Sequence, residues 1–344
     1  MDLKSNKRNF YIVAGISALI MYVLLKKDFS GVVSGLRSAN LYFLALATVM
    51  MAIYILLEAV PFYLIFRSRV QKISFSLIAK ITFATQFFNA ITPFSTGGQP
   101  FQIYIINKKN GISYGRITSI SLQNFIVYQT ALVIQGFFAL FAHYVWESSF
   151  ISFDRKTSIL IILGLGINFL IIAGLTVIAN SKRLSHFISI TLINFLAKLR
   201  IVKNPEGARE ATNKFLCDFH RDIEVLSQDK KLFCFTVFIN LIKLTLFYTL
   251  AYVLCMAIGI HDVSLLSVII ASSFTMLISS VFPVPGASGG AELGFLIFFA
   301  PIISGSSATI IMLMWRFFTY YMGLILGFLI FLFVFHGKES PQEA

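Results

Sequence analysis

The chain has 344 residues, 57% of them hydrophobic and 12% charged, with a formal net charge of +13. Soluble domains carry about 25% charged residues, and a chain of this size cannot bury its 37 phenylalanines in a water-soluble core, so a globule surrounded by water is excluded and lipid must solvate much of the surface. The positive charge falls between apolar runs, where basic cytoplasmic loops account for it and no nucleic-acid partner is called for.

The first apolar run, 9–26, follows Lys4, Lys7 and Arg8, and no small-residue cleavage site comes after it. It reads as a transmembrane helix with its N-terminus inside. A second span covers 41–66. The apolar region Leu77 to Asn107 is then broken by Pro93-Phe94-Ser95-Thr96-Gly97-Gly98. Spans at 117–142 and 158–180 follow. The segment 181–231 opens with Lys182, Arg183, Lys198, Arg200 and Lys203. It continues as an amphipathic helix, Gly207 to Gln228, with Phe215, Phe219, Ile223 and Leu226 on one stripe, expected to lie on the membrane or against the bundle. A span at 232–258 precedes a second broken region, Ser264 to Ser304, interrupted by Pro283-Val284-Pro285-Gly286-Ala287-Ser288-Gly289-Gly290. The last span is 307–335.

If both broken regions are hairpins that enter and leave on one side, 20 of the 28 Lys and Arg residues share a side with both termini. Five lie opposite and three within the membrane. That bias places both termini in the cytoplasm of a multi-pass cell-membrane protein. The breaks also match each other: Pro93-x-x-x-Gly97-Gly98 recurs as Pro285-x-x-x-Gly289-Gly290, and the same offset carries 41–66 onto 233–258 and 117–142 onto 309–334. Each half has three crossings, an odd number, so the second half should sit upside down relative to the first. The expected fold is an all-α polytopic membrane bundle, an inverted-topology repeat with two re-entrant broken helices. It forms a single membrane domain with repeat one at 9–142, repeat two at 158–335 and the linker at 181–231.

Irregular backbone at membrane depth is tolerated only beside protein or water, so the two breaks point to an internal polar cavity. Each returning half-helix starts after a Gly-Gly pair, whose small size admits close approach and whose positive helix end suits an anionic group such as phosphate or carboxylate. The candidate binding residues are Pro93, Gly97, Gly98, Gln99 and Gln102 from the first break. The second contributes Pro285, Ser288, Gly289, Gly290 and Glu292, joined by Arg316 from the last span. Glu58, Lys80, Lys243, Glu292 and Arg316 all fall in apolar surroundings, where a charge pairs or lines a pathway. Glu292 and Arg316 are expected to face one cavity and to pair, with Arg316 suited to a phosphate. Glu58 and Lys80 are expected near the inner interface, snorkelling.

Gly286-Ala287-Ser288-Gly289 imitates a serine-nucleophile motif, but none of the five histidines follows Ser288 on a helix at matching depth. Cys217, Cys234 and Cys255 have no metal-ligand or disulfide spacing. The sequence calls for no cofactor and no metal.

The two glycine motifs, together with Trp315-Arg316-Phe317-Phe318-Thr319-Tyr320-Tyr321, resemble the lysylphosphatidylglycerol synthase transmembrane family over residues 9 to 335, the flippase-like membrane region of bacterial multiple-peptide-resistance proteins. Pro283-x-Pro-Gly-x-x-Gly-Gly-x-Glu292 and Arg316 match its pattern. Gly98-Gln99-Pro100-Phe101-Gln102 has glutamines where members often carry Gly-Glu-Pro-x-Arg. The resemblance implies translocation or handling of phospholipid headgroups, with an anionic or aminoacylated phospholipid as partner. In full-length members a C-terminal soluble domain transfers lysine from lysyl-tRNA to phosphatidylglycerol. Without such a domain in these residues, lysyltransferase activity of this chain alone is not expected. A small-anion transporter is the alternative, and a separate synthase or envelope-biosynthesis partner and a homo-oligomer are both compatible with the sequence.

Overall fold

The computed structural model describes Arg37 and residues 39–70, 73–92, 97–147, 154–198, 204–282, 284–303 and 305–336. The expected span at 9–26 and Pro93 lie outside the described residues. Among the described residues the chain is helical and has no strand. In chain order the helices are α1 (Leu41–Arg69), α2 (Phe75–Ala90), α3 (Gly98–Asn110), α4 (Tyr114–Ala142), α5 (Arg155–Asn180), α6 (Lys182–Lys198) and α7 (Pro205–Gln228). They continue as α8 (Lys230–Ala257), α9 (Leu265–Ser279), α10 (Gly290–Phe299), α11 (Gly305–Arg316) and α12 (Met322–Ile330). A π turn, Phe317–Tyr321, joins α11 to α12 as one span.

Among the described residues five helical stretches are long and apolar enough to cross a membrane: Leu41–Arg69, Tyr114–Val145, Arg155–Asn180, Lys230–Ala257 and Ser307–Val334. Their outer faces leave Phe137, Phe138, Phe141, Leu163, Phe169 and Leu170 exposed. Such a belt is stable facing acyl chains and would aggregate in water. Short polar residues start the helices. The Asn40, Ser74, Asp154, Asp229 and Ser264 side chains each accept a backbone N–H of the first turn, occupying donors that a helix start leaves unpaired.

The recurrence at an offset of 192 holds. Shifting α1, α2, α3 and α4 lands on 233–261, 267–282, 290–302 and 306–334, against Lys230–Ala257, Leu265–Ser279, Gly290–Phe299 and Ser307–Val334. Contacts between the halves are reciprocal: α1 packs on α8, its own counterpart, while α2 packs on α12 and the matching α9 packs on α4.

Both broken regions fold back on themselves. At 16 and 13 residues, α2 and α3 are too short for each to cross the hydrocarbon with margin. The Phe88 and Phe101 rings stack at 4.2 Å, which brings the two arms side by side. In the second hairpin a Cβ on Gly290 would strike the Phe282 ring, and Gly294 lies against Thr275.

The linker departs from expectation in one part and meets it in another. Lys182–Lys198, which reads in the sequence only as a basic stretch, is helix α6. Helix α7 docks against the bundle, with Phe219 and Ile223 buried on Ala179. Asp222 is 0% exposed and accepts from Arg69 at 2.8 Å and Arg116 at 2.9 Å, tying α7 to the ends of α1 and α4. Removing a carboxylate that holds two cations leaves both unpaired. Asp222→Ala is therefore expected to destabilise the fold by about 2–4 kcal/mol and to expose the linker to protease, read by thermal unfolding and limited proteolysis.

Beside it, the Ser185 hydroxyl and His220 ring lie 2.6 Å apart. Burial pushes the His220 imidazole below its usual 6.5, and the nearby Lys182 charge acts in the same direction. The folded chain thus takes up this proton less readily than the unfolded chain. His220 stabilises the fold fully above pH 6.5, and that contribution is lost as pH falls through the lower folded value. The midpoint of unfolding should drop between pH 7.5 and 5.5 more in the wild type than in His220→Gln.

Candidate functional site

Between the two hairpins and the central pair α1 and α8 lies a cavity of about 530 Å³. Its wall combines Gly98, Gln99 and Gln102 of the first hairpin with Gly286, Ala287 and Ala291 of the second. Glu58, Lys243 and Arg316 are its charged members.

The second hairpin is held at its tip. Arg316 Nε lies 2.7 Å from Glu292 Oε1, with both residues buried. The same guanidinium donates to the Gly286 carbonyl and to Ser288 Oγ at 3.2 Å, and it sits 4.7 Å from the Tyr320 ring centroid. Glu292 Oε2 accepts the Gly289 N–H at 2.6 Å, capping α10. The expected Glu292–Arg316 pair is present, and it also closes the irregular loop. That loop needs support: Gly286 has φ 60° and Ala287 φ 52°, the left-handed region that a non-glycine residue adopts only at an energetic cost. Gly286 itself faces the Tyr320 ring so closely that a Cβ would collide, so Gly286→Val should lower stability through both clash and backbone.

The first hairpin is held by neutral groups. Gly97 N–H donates to Thr92 Oγ1 at 2.8 Å and Gly98 N–H to Asn89 Oδ1 at 2.9 Å. The Gly97, Gly98 and Gly289 N–H groups, expected to be open to an anion, are thus occupied by side chains. Among the candidate residues, Gly98, Gln99, Gln102 and Arg316 line the cavity, while Pro285, Ser288, Gly289, Gly290 and Glu292 build the loop behind it.

Lys243 stands out in the sequence as an intramembrane charge but not as a site residue. It is 2% exposed, and its ammonium lies 4.5 Å from the Tyr128 ring centroid and 5.4 Å from that of Tyr54. Those distances allow cation–π stabilisation in a desolvated setting. Glu58 acts on it electrostatically and accepts from Gln86 at 3.3 Å. Glu58 is therefore a cavity residue and not an interfacial snorkeller, because it lines the chamber and is held there by Gln86 of α2. Lys80 is exposed, as snorkelling requires. The offset of 192 also pairs Phe125-x-x-Tyr128 with Phe317-x-x-Tyr320, and Asn124 with Arg316. That internal comparison is the signal that could have drawn attention to Tyr128. A further polar node was not legible: buried Asn168 receives Gln129 Nε2 at 2.5 Å and Ser280 Oγ at 3.1 Å, bonds that join α4, α5 and the end of α9.

Residues 10–327 match the family described as the lysylphosphatidylglycerol synthase TM region. The chain is also 23% identical, over 295 residues, to a UPF0104 membrane protein of Methanothermobacter thermautotrophicus, a likeness covering 83% of this chain and 82% of the relative. The buried Arg316–Glu292 clasp and the twin glycine hairpins belong to a chain that is a multi-pass member of the lysylphosphatidylglycerol synthase transmembrane-region family.

Proposed function

We propose that this protein handles phospholipid headgroups within the cell membrane and moves them across the bilayer, with both termini on the cytoplasmic side. The observation that carries this reading is the charged cavity itself, enclosed by two hairpins inside a bundle whose outer faces suit lipid. A buried cation is expensive at membrane depth and is retained where it pairs or serves a pathway. Lys243 and Arg316 supply attraction for a phosphate, while the acyl chains stay outside. The reciprocal packing of the two repeats fits rocking of one against the other about a central site, as in inverted-repeat transporters.

The test is a headgroup-accessibility assay in proteoliposomes with labelled anionic phospholipid. Protein-containing vesicles should exchange headgroups between leaflets well above protein-free vesicles. Gln99→Trp, which projects an indole from the first hairpin into the cavity, should abolish the gain. Exchange equal to that of empty vesicles would sink the proposal. Uptake of a soluble phosphate without lipid exchange would assign the cavity to small-anion transport.

A further inference from the structure

We infer a second lipid site, apart from the central cavity: a pocket at the mouth of the first hairpin binds the phosphate headgroup of an anionic phospholipid through Lys80 and Lys109. The lipid is a resident there and is not carried. This site stands whether or not the protein moves lipid, because the two cavities share no lining residue.

The pocket forms where three ends of the bundle meet. Its volume is about 310 Å³, within the range of ligand pockets. Ser74, Ser76 and Lys80 come from the start of α2, Lys109 from the end of α3, and Phe333 from the π turn Phe331–His336 that ends the last span. Both lysines are exposed and so keep their charge without a burial cost.

Charge selects an anion. Two ammonium groups from separate helices line one pocket, and none of the described residues around it is acidic. The excess of Lys and Arg expected on a cytoplasmic face accounts for either lysine alone, but not for their meeting at one pocket. Nor does the repeat demand them: the offset of 192 pairs Lys80 with Ser272 and Lys109 with Pro301, neither of them charged. A phosphate can accept from both ammoniums at once. The serines suit it as well. Ser74 Oγ accepts the Leu77 N–H at 3.2 Å, which leaves its hydroxyl proton to donate.

Depth and wall identify what carries the anion. The pocket lies at the end of the apolar stretch Ser307–Val334, the level at which lipid headgroups meet the hydrocarbon. Phe333 is 76% exposed, and with Leu77 and Val334 it gives the pocket an apolar wall. A phosphate free in water gains nothing from that wall. A phospholipid lays an acyl chain along it while its phosphate reaches the lysines. A lipid so placed bridges α2, α3 and the last span, and it holds the mouth of the hairpin whose Gly98 and Gln99 wall the central cavity.

The experiment places an indole in the pocket with Phe333→Trp in the full chain, reconstituted in vesicles. The wild-type signal, from Trp146 and Trp315, is subtracted. Phosphatidylglycerol and phosphatidylcholine, each brominated high on the acyl chains, serve as quenchers. Phosphatidylglycerol should half-saturate quenching at a mole fraction at least about tenfold lower than phosphatidylcholine, the effect of one charge-assisted bond. Lys80→Gln and Lys109→Gln should each cut that preference by about threefold to tenfold. Lys214→Gln, exposed on α7 outside the pocket, and Lys243→Met in the central cavity should leave it unchanged. Inorganic phosphate in millimolar excess should not relieve the quenching. Equal quenching by the two lipids would overturn the site, as would a preference that neither pocket lysine alters or that Lys214→Gln lowers as much. Relief by inorganic phosphate would overturn the lipid as the source of the anion. Loss of the preference in Lys243→Met would place the bound lipid in the central cavity and overturn a separate site.

Discussion

Arg316→Ala is expected to lower the stability of the membrane domain by about 3–5 kcal/mol and to stop headgroup exchange. Removing one partner of a buried pair leaves the other charge uncompensated. Here that charge is Glu292, buried at the start of α10. The loss goes beyond the pair, because the same guanidinium fixes the Gly286 carbonyl and Ser288 across a segment with two consecutive positive φ values. The tip of the second hairpin should loosen, and the cavity wall with it. A double variant, Glu292→Gln with Arg316→Met, removes both charges and leaves an amide able to accept from the Gly289 N–H. Replacing a buried pair as a whole is often neutral, so this variant should recover the part of the melting temperature lost to the uncompensated charge, but not the part lost with the bonds to Gly286 and Ser288, while exchange stays low. Thermal unfolding in nanodiscs and the exchange assay separate the two effects. An Arg316→Ala protein that melts like the wild type would show that the clasp does not hold the hairpin.

Lys243→Met should have the opposite balance, with stability unchanged or raised and exchange of anionic lipid lowered at least about tenfold. Methionine has a similar length, fits an apolar helix and packs well against Tyr54 and Tyr128 through its sulfur. Burial of the ammonium in this bundle is unfavourable in itself, so its removal need not destabilise. A charge-assisted hydrogen bond to a phosphate is worth about 1.5–3 kcal/mol, which sets the expected loss. Lys243→Arg retains the charge and should retain part of the exchange. Wild-type exchange in Lys243→Met would remove Lys243 from the substrate path.

The spans were legible because an apolar run about twenty residues long matches the thickness of the hydrocarbon layer. The hairpins were legible because Pro and Gly interrupt two such runs at matching positions. What the sequence could not supply was the direction in which a helix face points. Lys243 stands out as a charge, yet nothing in the apolar run around it shows that Tyr54 and Tyr128, from two other helices, meet over its ammonium. Glu58 reads as interfacial for the same reason. Gln99 and Gln102 look like lost charges and turn out to be cavity amides. Asn168 was invisible because one asparagine in a span of leucine and isoleucine signals a helix contact without showing which carbonyl and hydroxyl it joins. Helix α6 was hidden because Lys182, Arg183 and Lys198 frame it and Ser, Thr and Asn interrupt its apolar positions, so that it reads as an ordinary linker.

The most direct test of the central claim, a wet charged chamber between two hairpins, is thiol accessibility in intact membranes. Single cysteines at Gln102, Ser280 and Phe317 are placed in a chain whose Cys217, Cys234 and Cys255 are replaced by serine or alanine. Gln102 and Ser280 line the cavity, whereas Phe317 is exposed on the outer face. The expected result is rapid modification of the first two by a charged, membrane-impermeant thiol reagent, slowed by added anionic lipid headgroup, with Phe317→Cys left unmodified. Protection of Gln102→Cys and Ser280→Cys equal to that of Phe317→Cys would contradict the account.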